Sequence, residues 1–229
     1  PLPWAHSKRA RAQARRKLGG SDMNNFFTWD LNSAGLLPSS WEEEIAAAIQ
    51  QNGVSTILSG DSEQSREDSS RYEIPVLVVT GDDCSGRMPW LRGLYQNELR
   101  EFASRSFQRS LFVANDLKSS ININCLRGIG ARYEAHVDTN PVTGLIFATN
   151  ATPQTGGQLV FRSNSGPDIV VWPEKGVFLA FDARKISHFV APLTVDMDRI
   201  SLPMNYYESA YEQPRPEGLD EYLYGKNNK

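Results

Sequence analysis

The sequence predicts an α+β protein that is mainly β, with helices first and a sandwich or jelly roll after them. Two observations carry this. From Ser120 onward the chain becomes a series of eight β-rich runs, approximately 121–126, 132–138, 143–149, 157–162, 168–171, 176–181, 186–191 and 198–206. Turn signals separate them: Gly128-Ile129-Gly130, Asn140-Pro141, Pro153 to Gly157, Ser163 to Pro167 and Pro173 to Gly176. Short strands with this punctuation mark two-sheet or closed antiparallel architectures. Before Ser120, by contrast, apolar residues recur mostly at helical spacing.

Taken in order, residues 5–18 are rich in Ala, Arg and Lys and read as a helix stopped by Gly19-Gly20. Trp41 to Gln51 reads as the next helix, with Ser40 and Glu43 spaced as a capping box and Gly53 closing it. Val54 to Leu58 reads as a strand. Residues 59–71 carry no apolar side chain and read as a surface loop, a connector or a lid. Ile74 to Thr80 reads as a buried strand. Pro89 opens a helix predicted to run to about Phe107, and Leu91, Leu94, Tyr95, Leu99, Phe102 and Ala103 form its apolar face. The organisation expected is a basic arm over 1–20 and a single domain over 21–229, whose β core lies at about 120–207.

The 229 residues suffice for one sizeable core, and 40% hydrophobic content with both charge signs is globular rather than disordered. The longest apolar runs, such as Val76 to Val79, are too short to cross a membrane, and no signal peptide is visible. Cys84 and Cys125 form no CxxC pair, which points to buried free thiols and a reducing, cytoplasmic setting. The net charge is −3, but residues 1–20 hold Lys8, Arg9, Arg11, Arg15, Arg16 and Lys17 without an acid, a local +6 that leaves the remainder at −9. Such an arm either lies on its own acidic body or touches nucleic acid. The first is expected, because no aromatic residue interleaves the charges after Trp4. The sequence does not disclose an oligomeric state.

The chemistry concentrates in the β-rich half. Asp138 follows His136 by two residues, and on a strand those positions share a face. One imidazole and one carboxylate thus project together. A further ligand from a facing strand would complete a 2-His-1-carboxylate triad, which occupies one face of an octahedral iron and leaves the rest open. His188 is the only candidate histidine besides His6 in the arm. HxD alone is a weak pattern, and a structural strand histidine is its ordinary alternative. Gly156-Gly157 reads as a tight turn, not a phosphate loop.

The surrounding segments resemble the 2-oxoglutarate/Fe(II)-dependent oxygenase superfamily, in particular its prolyl-hydroxylase-like branch. They are GIGARYEAHVD (128–138), GGQLVF (156–161), WPEKGVFLAFDARKISHFVAPL (172–193) and DRISLPMNYY (198–207). The resemblance implies a double-stranded β-helix, with Fe(II), 2-oxoglutarate and dioxygen as cofactor and cosubstrates. It implies His136, Asp138 and His188 as iron ligands. It implies that Arg199, with Ser201 on the same face, pairs with the far carboxylate of 2-oxoglutarate, where a bidentate cation is needed. The alternative for Arg199 is a surface residue paired with Asp196 or Asp198. Tyr133 matches a position near the cosubstrate, although it alternates out of phase with His136 unless a bulge intervenes. Asn124 and Arg127 are candidates for the pocket lining, with a structural role equally open. Halogenating relatives carry Gly or Ala where this chain has Asp138, so the resemblance favours hydroxylation or another oxidation.

The activity implied is oxidation, foremost hydroxylation, of an unactivated C–H bond in a small molecule such as an amino acid or derived metabolite. The alternatives are a protein prolyl hydroxylase and a non-enzymatic jelly-roll binding protein. Nucleic-acid demethylation is not favoured.

Overall fold

The computed structural model describes residues 26–59, 73–163, 165–214, 217, 218, 220 and 224. The basic arm with its expected helix, and the polar loop after Ser59, lie outside the described residues. Two antiparallel sheets carry the fold. The larger has eight strands. Seven run β1 (Phe26–Asp30), β10 (Val177–Asp182), β7 (Val142–Phe147), β12 (Asp198–Tyr207), β5 (Ile123–Arg127), β3 (Glu73–Val79) and β2 (Val54–Ser59), and β4 (Phe112–Val113) pairs with β12. The smaller runs β6 (Tyr133–His136), β11 (His188–Val190), β8 (Leu159–Phe161) and β9 (Ile169–Val171). This is the double-stranded β-helix.

Alternation along the strands assigns each side chain to one of two cores. On β10, Phe178 and Ala180 join the helix-side core, whereas Leu179 and Phe181 join the core between the sheets. Both faces are buried, which is why 177–181 reads as an unbroken apolar run. On β12, Leu202, Met204 and Tyr206 face the helices, and Arg199, Ser201, Pro203, Asn205 and Tyr207 line a cavity on the other face. Gly144 on β7 lets the sheet pack closely. A Cβ there would stand 2.6 Å from the Phe178 ring.

Four helices cover the outer face of the large sheet: α1 (Trp41–Asn52), α2 (Gly81–Arg87), α3 (Pro89–Gln96) and α4 (Glu98–Phe107). The single helix expected from Pro89 is two. Asn97 breaks it at φ −118° and ψ −90°, and its side-chain amide donates to the Gly93 carbonyl at 2.9 Å, competing with the helical ladder. The expected capping box also fails. The Ser40 hydroxyl donates to Glu44 Oε1 at 2.6 Å and makes no bond to the helix backbone. Helix α2, which shows no apolar periodicity, starts at Thr80, whose hydroxyl accepts from the Asp83 N–H.

Candidate metal centre

Strand β6 places His136 opposite His188 of β11 in the antiparallel register. Asp138 leaves β6 two residues later, tied by its own N–H to the Ala183 carbonyl at 3.0 Å. The result is a three-residue cluster whose ligand atoms all lie within 4.8 Å of one another. Asp138 Oδ1 stands 3.4 Å from His136 Nε2 and 3.7 Å from His188 Nε2.

Each imidazole is held through its other nitrogen. His136 Nδ1 lies 2.7 Å from the Glu134 carbonyl, and His188 Nδ1 lies 3.1 Å from that of Ile186. A carbonyl only accepts, so each Nδ1 carries a hydrogen and each Nε2 is the nitrogen turned toward a metal. The Phe181 ring meets His188 edge-on at 4.6 Å and fixes its plane. Burial, reinforced by the neighbouring His136, pushes His188 down to about 4, so it is neutral and able to ligate at physiological pH. For Asp138, burial works upward. The two histidines and the Thr143 hydroxyl outweigh it and hold the carboxyl at about 2. Two imidazoles and one carboxylate facing a common point fit a divalent iron of the facial type.

A cavity of about 180 Å³ extends from this cluster between the sheets. Arg199 lies on its wall, 3% exposed, with Nε donating to the Gly157 carbonyl at 2.8 Å and Nη1 to Ser201 Oγ at 3.4 Å. Burial pulls this guanidinium down to about 10, still charged at neutral pH. No carboxylate pairs with it among the described residues. Asp198, the surface partner considered for it, takes Arg127 instead, in a bidentate pair at 2.7 and 2.7 Å. Arg127 is therefore an outer-surface residue, not a pocket residue.

Tyr133 and Asn124 both line the cavity, and Asn124 Nδ2 donates to the Tyr133 hydroxyl at 3.2 Å. The phase conflict between Tyr133 and His136 is resolved by a register shift. His188 pairs with His136, but Val190 pairs with Tyr133, so β6 carries one extra residue. Ser201 shares the Arg199 face and pairs with Asn124 across β5.

Three features escaped the sequence reading. Thr143 and Asn140 form a hydrogen-bonded chain to Asp138. Their only signal was position: Asn140 sits in a recognised turn, and Thr143 is a polar residue in an apolar run. Gly157 is more than a turn residue. At φ +76° its carbonyl seats Arg199, and a Cβ would meet Leu193 Cδ2 at 2.8 Å and Arg199 Cδ at 3.3 Å.

No protein-family model and no curated protein matches this sequence. Solved structures do. A 2OG-Fe(II) oxygenase family oxidoreductase from Burkholderia pseudomallei aligns with TM-score 0.60 and 15% identity, covering 81% of this chain and 86% of that one. A Trichoplax adhaerens prolyl hydroxylase, in complex with a hypoxia-inducible-factor peptide fragment, aligns with TM-score 0.60 and 20% identity over 81% and 84%. The α-ketoglutarate-dependent carbocyclase SnoK from nogalamycin biosynthesis aligns with TM-score 0.63 and 15% identity over 87% and 85%. The chain thus shares the double-stranded β-helix fold of these 2-oxoglutarate/iron(II) oxygenases.

Proposed function

We propose that this protein is a 2-oxoglutarate- and Fe(II)-dependent dioxygenase that oxidises, most simply hydroxylates, a C–H bond of a small-molecule substrate. One observation carries the reading. A buried guanidinium with no carboxylate partner among the described residues lines the same cavity as a two-histidine, one-carboxylate cluster. A dianion that chelates metal at one end and carries a carboxylate at the other satisfies both. On this reading His136, Asp138 and His188 hold iron(II). Arg199 and Ser201 grip the distal carboxylate, with Tyr133 and Asn124 beside them. The bound iron supplies the dioxygen activation that couples decarboxylation of 2-oxoglutarate, to succinate and CO2, to insertion of one oxygen atom into the substrate. The chain itself orients the two imidazoles, keeps His188 unprotonated, and closes the site with apolar walls such as Leu145, Leu159 and Phe181.

Arg199 is the only cation among the described lining residues. Once it holds the cosubstrate, the remaining lining is amide, hydroxyl and apolar, which favours a neutral metabolite over a free amino acid. The SnoK likeness supports a small-molecule substrate. A second reading, peptidyl-proline hydroxylation, is favoured by the likeness to the Trichoplax enzyme, which was solved with its peptide. A panel of proline-containing peptides tested beside neutral metabolites separates the two.

The founding test is succinate formation from 2-oxoglutarate in air by iron(II)-loaded protein. Wild type is expected to turn over slowly even without substrate, and His136→Ala and Arg199→Ala are expected not to. Absence of both turnover and iron-dependent 2-oxoglutarate binding in wild type would overturn the reading in favour of a jelly-roll binding module.

A further inference from the structure

We infer that Thr143 and Asn140 are positioning residues that hold Asp138 to one-oxygen ligation, which keeps two metal positions free for a chelating 2-oxo acid and one for dioxygen. This rests on the oxygenase reading above and adds to it a constraint from the chain's own hydrogen bonds.

The directions of those bonds can be worked out. Asn140 is buried, and its side-chain nitrogen reaches the Val142 carbonyl at 2.8 Å and Thr143 Oγ1 at 2.9 Å. A carbonyl accepts only, so that end of the side chain is the amide NH2, and its second hydrogen points at Thr143. The Thr143 hydroxyl accepts there, and its single proton is left to donate. It goes to Asp138 Oδ2 in a short bond. Oδ2 is thus engaged away from the histidines, while Oδ1 faces both Nε2 atoms. The backbone N–H of Asp138 on Ala183 restrains the same residue from the other side.

The consequence is one of coordination count. On an octahedral ion the triad takes three positions when Asp138 binds through one oxygen, a chelating 2-oxo acid takes two, and one remains. A carboxylate free to swing can bind hard cations through both oxygens. That would consume the last position or compete with the cosubstrate. Thr143 supplies the restraint, and Asn140 acts only through Thr143 by fixing the direction of its hydroxyl.

The test uses Mn(II) as an inert probe ion on the full chain, with wild type, Thr143→Ser and Thr143→Val. Titration calorimetry gives the Mn(II) affinity and then the 2-oxoglutarate affinity of the loaded protein. Thr143→Val is expected to lose about tenfold or more in 2-oxoglutarate affinity, well beyond any loss in Mn(II) affinity. Thr143→Ser restores it. Asn140→Ala added to Thr143→Val is expected to cause no further loss in 2-oxoglutarate affinity. Crystal structures of the Mn(II)-loaded proteins are expected to show one Asp138 oxygen on the metal in wild type and two in Thr143→Val. Equal 2-oxoglutarate binding by wild type and Thr143→Val, or a parallel loss of both ligands, overturns the inference. Should wild type bind Mn(II) but never 2-oxoglutarate, the oxygenase reading falls instead. The crystal structures then decide the inference alone, and a single Asp138 oxygen on the metal in both proteins refutes it.

Discussion

At the end of the cavity that holds the proposed iron ligands, each of the three side chains has a partner of its own within the protein: the Glu134 carbonyl for His136, the Ile186 carbonyl for His188, and Thr143 for Asp138. At the other end Arg199 is buried with a backbone carbonyl and a hydroxyl, and with no carboxylate among the described residues. One end is complete before any small molecule arrives, apart from the ion itself. The other carries a desolvated charge that no carboxylate among the described residues neutralises. A buried cation left unpaired is costly to the folded state. Its place in the same cavity as a candidate metal-ligating cluster is what a binding site for a dianion requires.

Breaking that contrast at the Arg199 end gives the largest effect. Arg199→Met is expected to weaken 2-oxoglutarate binding by about 2–5 kcal/mol, the cost typical of losing one partner of a buried charged pair. Without ligand, the same variant is expected to melt at or above the wild-type temperature, because a flexible apolar chain replaces an uncompensated charge. Calorimetric titration and a thermal melt measure the two effects. A large drop in the ligand-free melting temperature would show that Gly157 and Ser201 already satisfy the guanidinium.

Gly157→Ala sharpens the comparison by disturbing the seat while sparing the cation. The left-handed backbone and the short approach to Leu193 predict a loss of about 1–3 kcal/mol in stability, read by urea unfolding. 2-Oxoglutarate affinity is expected to fall and metal affinity to hold. The smallest effect belongs to Arg127→Ala. Its ion pair with Asp198 is exposed, and such pairs contribute about 1 kcal/mol or less. No change in 2-oxoglutarate binding is expected, which distinguishes Arg127 from Arg199 by experiment as the structure does by position.

Much of this was legible in the sequence because it depends on local periodicity. The i, i+2 spacing brings His136 and Asp138 to one side, although β6 ends at His136 and the Ala183 carbonyl fixes Asp138 just beyond it. The eight β-rich runs correspond to β5 through β12 apart from β-strand ends, since turn residues delimit them. Even Pro203 sits within a predicted strand. β12 tolerates it because the ladder to β5 ends at Ser201–Asn124 and resumes only as an isolated Ile121–Met204 bridge. What was not legible depends on strand pairings and side-chain hydrogen bonds that apolar periodicity does not report. β1 is a strand because β10 offers it an edge, and nothing in Phe26–Asp30 alone says so. The helix break at Asn97 lies inside an apolar pattern that continues across it. The bulge that turns Tyr133 inward appears only once β11 is paired. Thr143 and Asn140 acquire meaning from a carboxylate several residues away on a loop whose path the sequence leaves open.

The two cysteines point away from the chemistry proposed for this fold. Cys125 belongs to β5, next to Asn124 of the cavity wall, yet its side chain joins the helix-side core with Cys84. Burial pushes both thiols up to about 12, so the native protein holds essentially no thiolate at neutral pH. Thiolate is the species that oxidants and alkylating reagents attack. The folded chain therefore keeps both thiols out of reach of alkylating reagents, and each molecule that opens its helix layer announces it by becoming alkylatable, a built-in clock for unfolding.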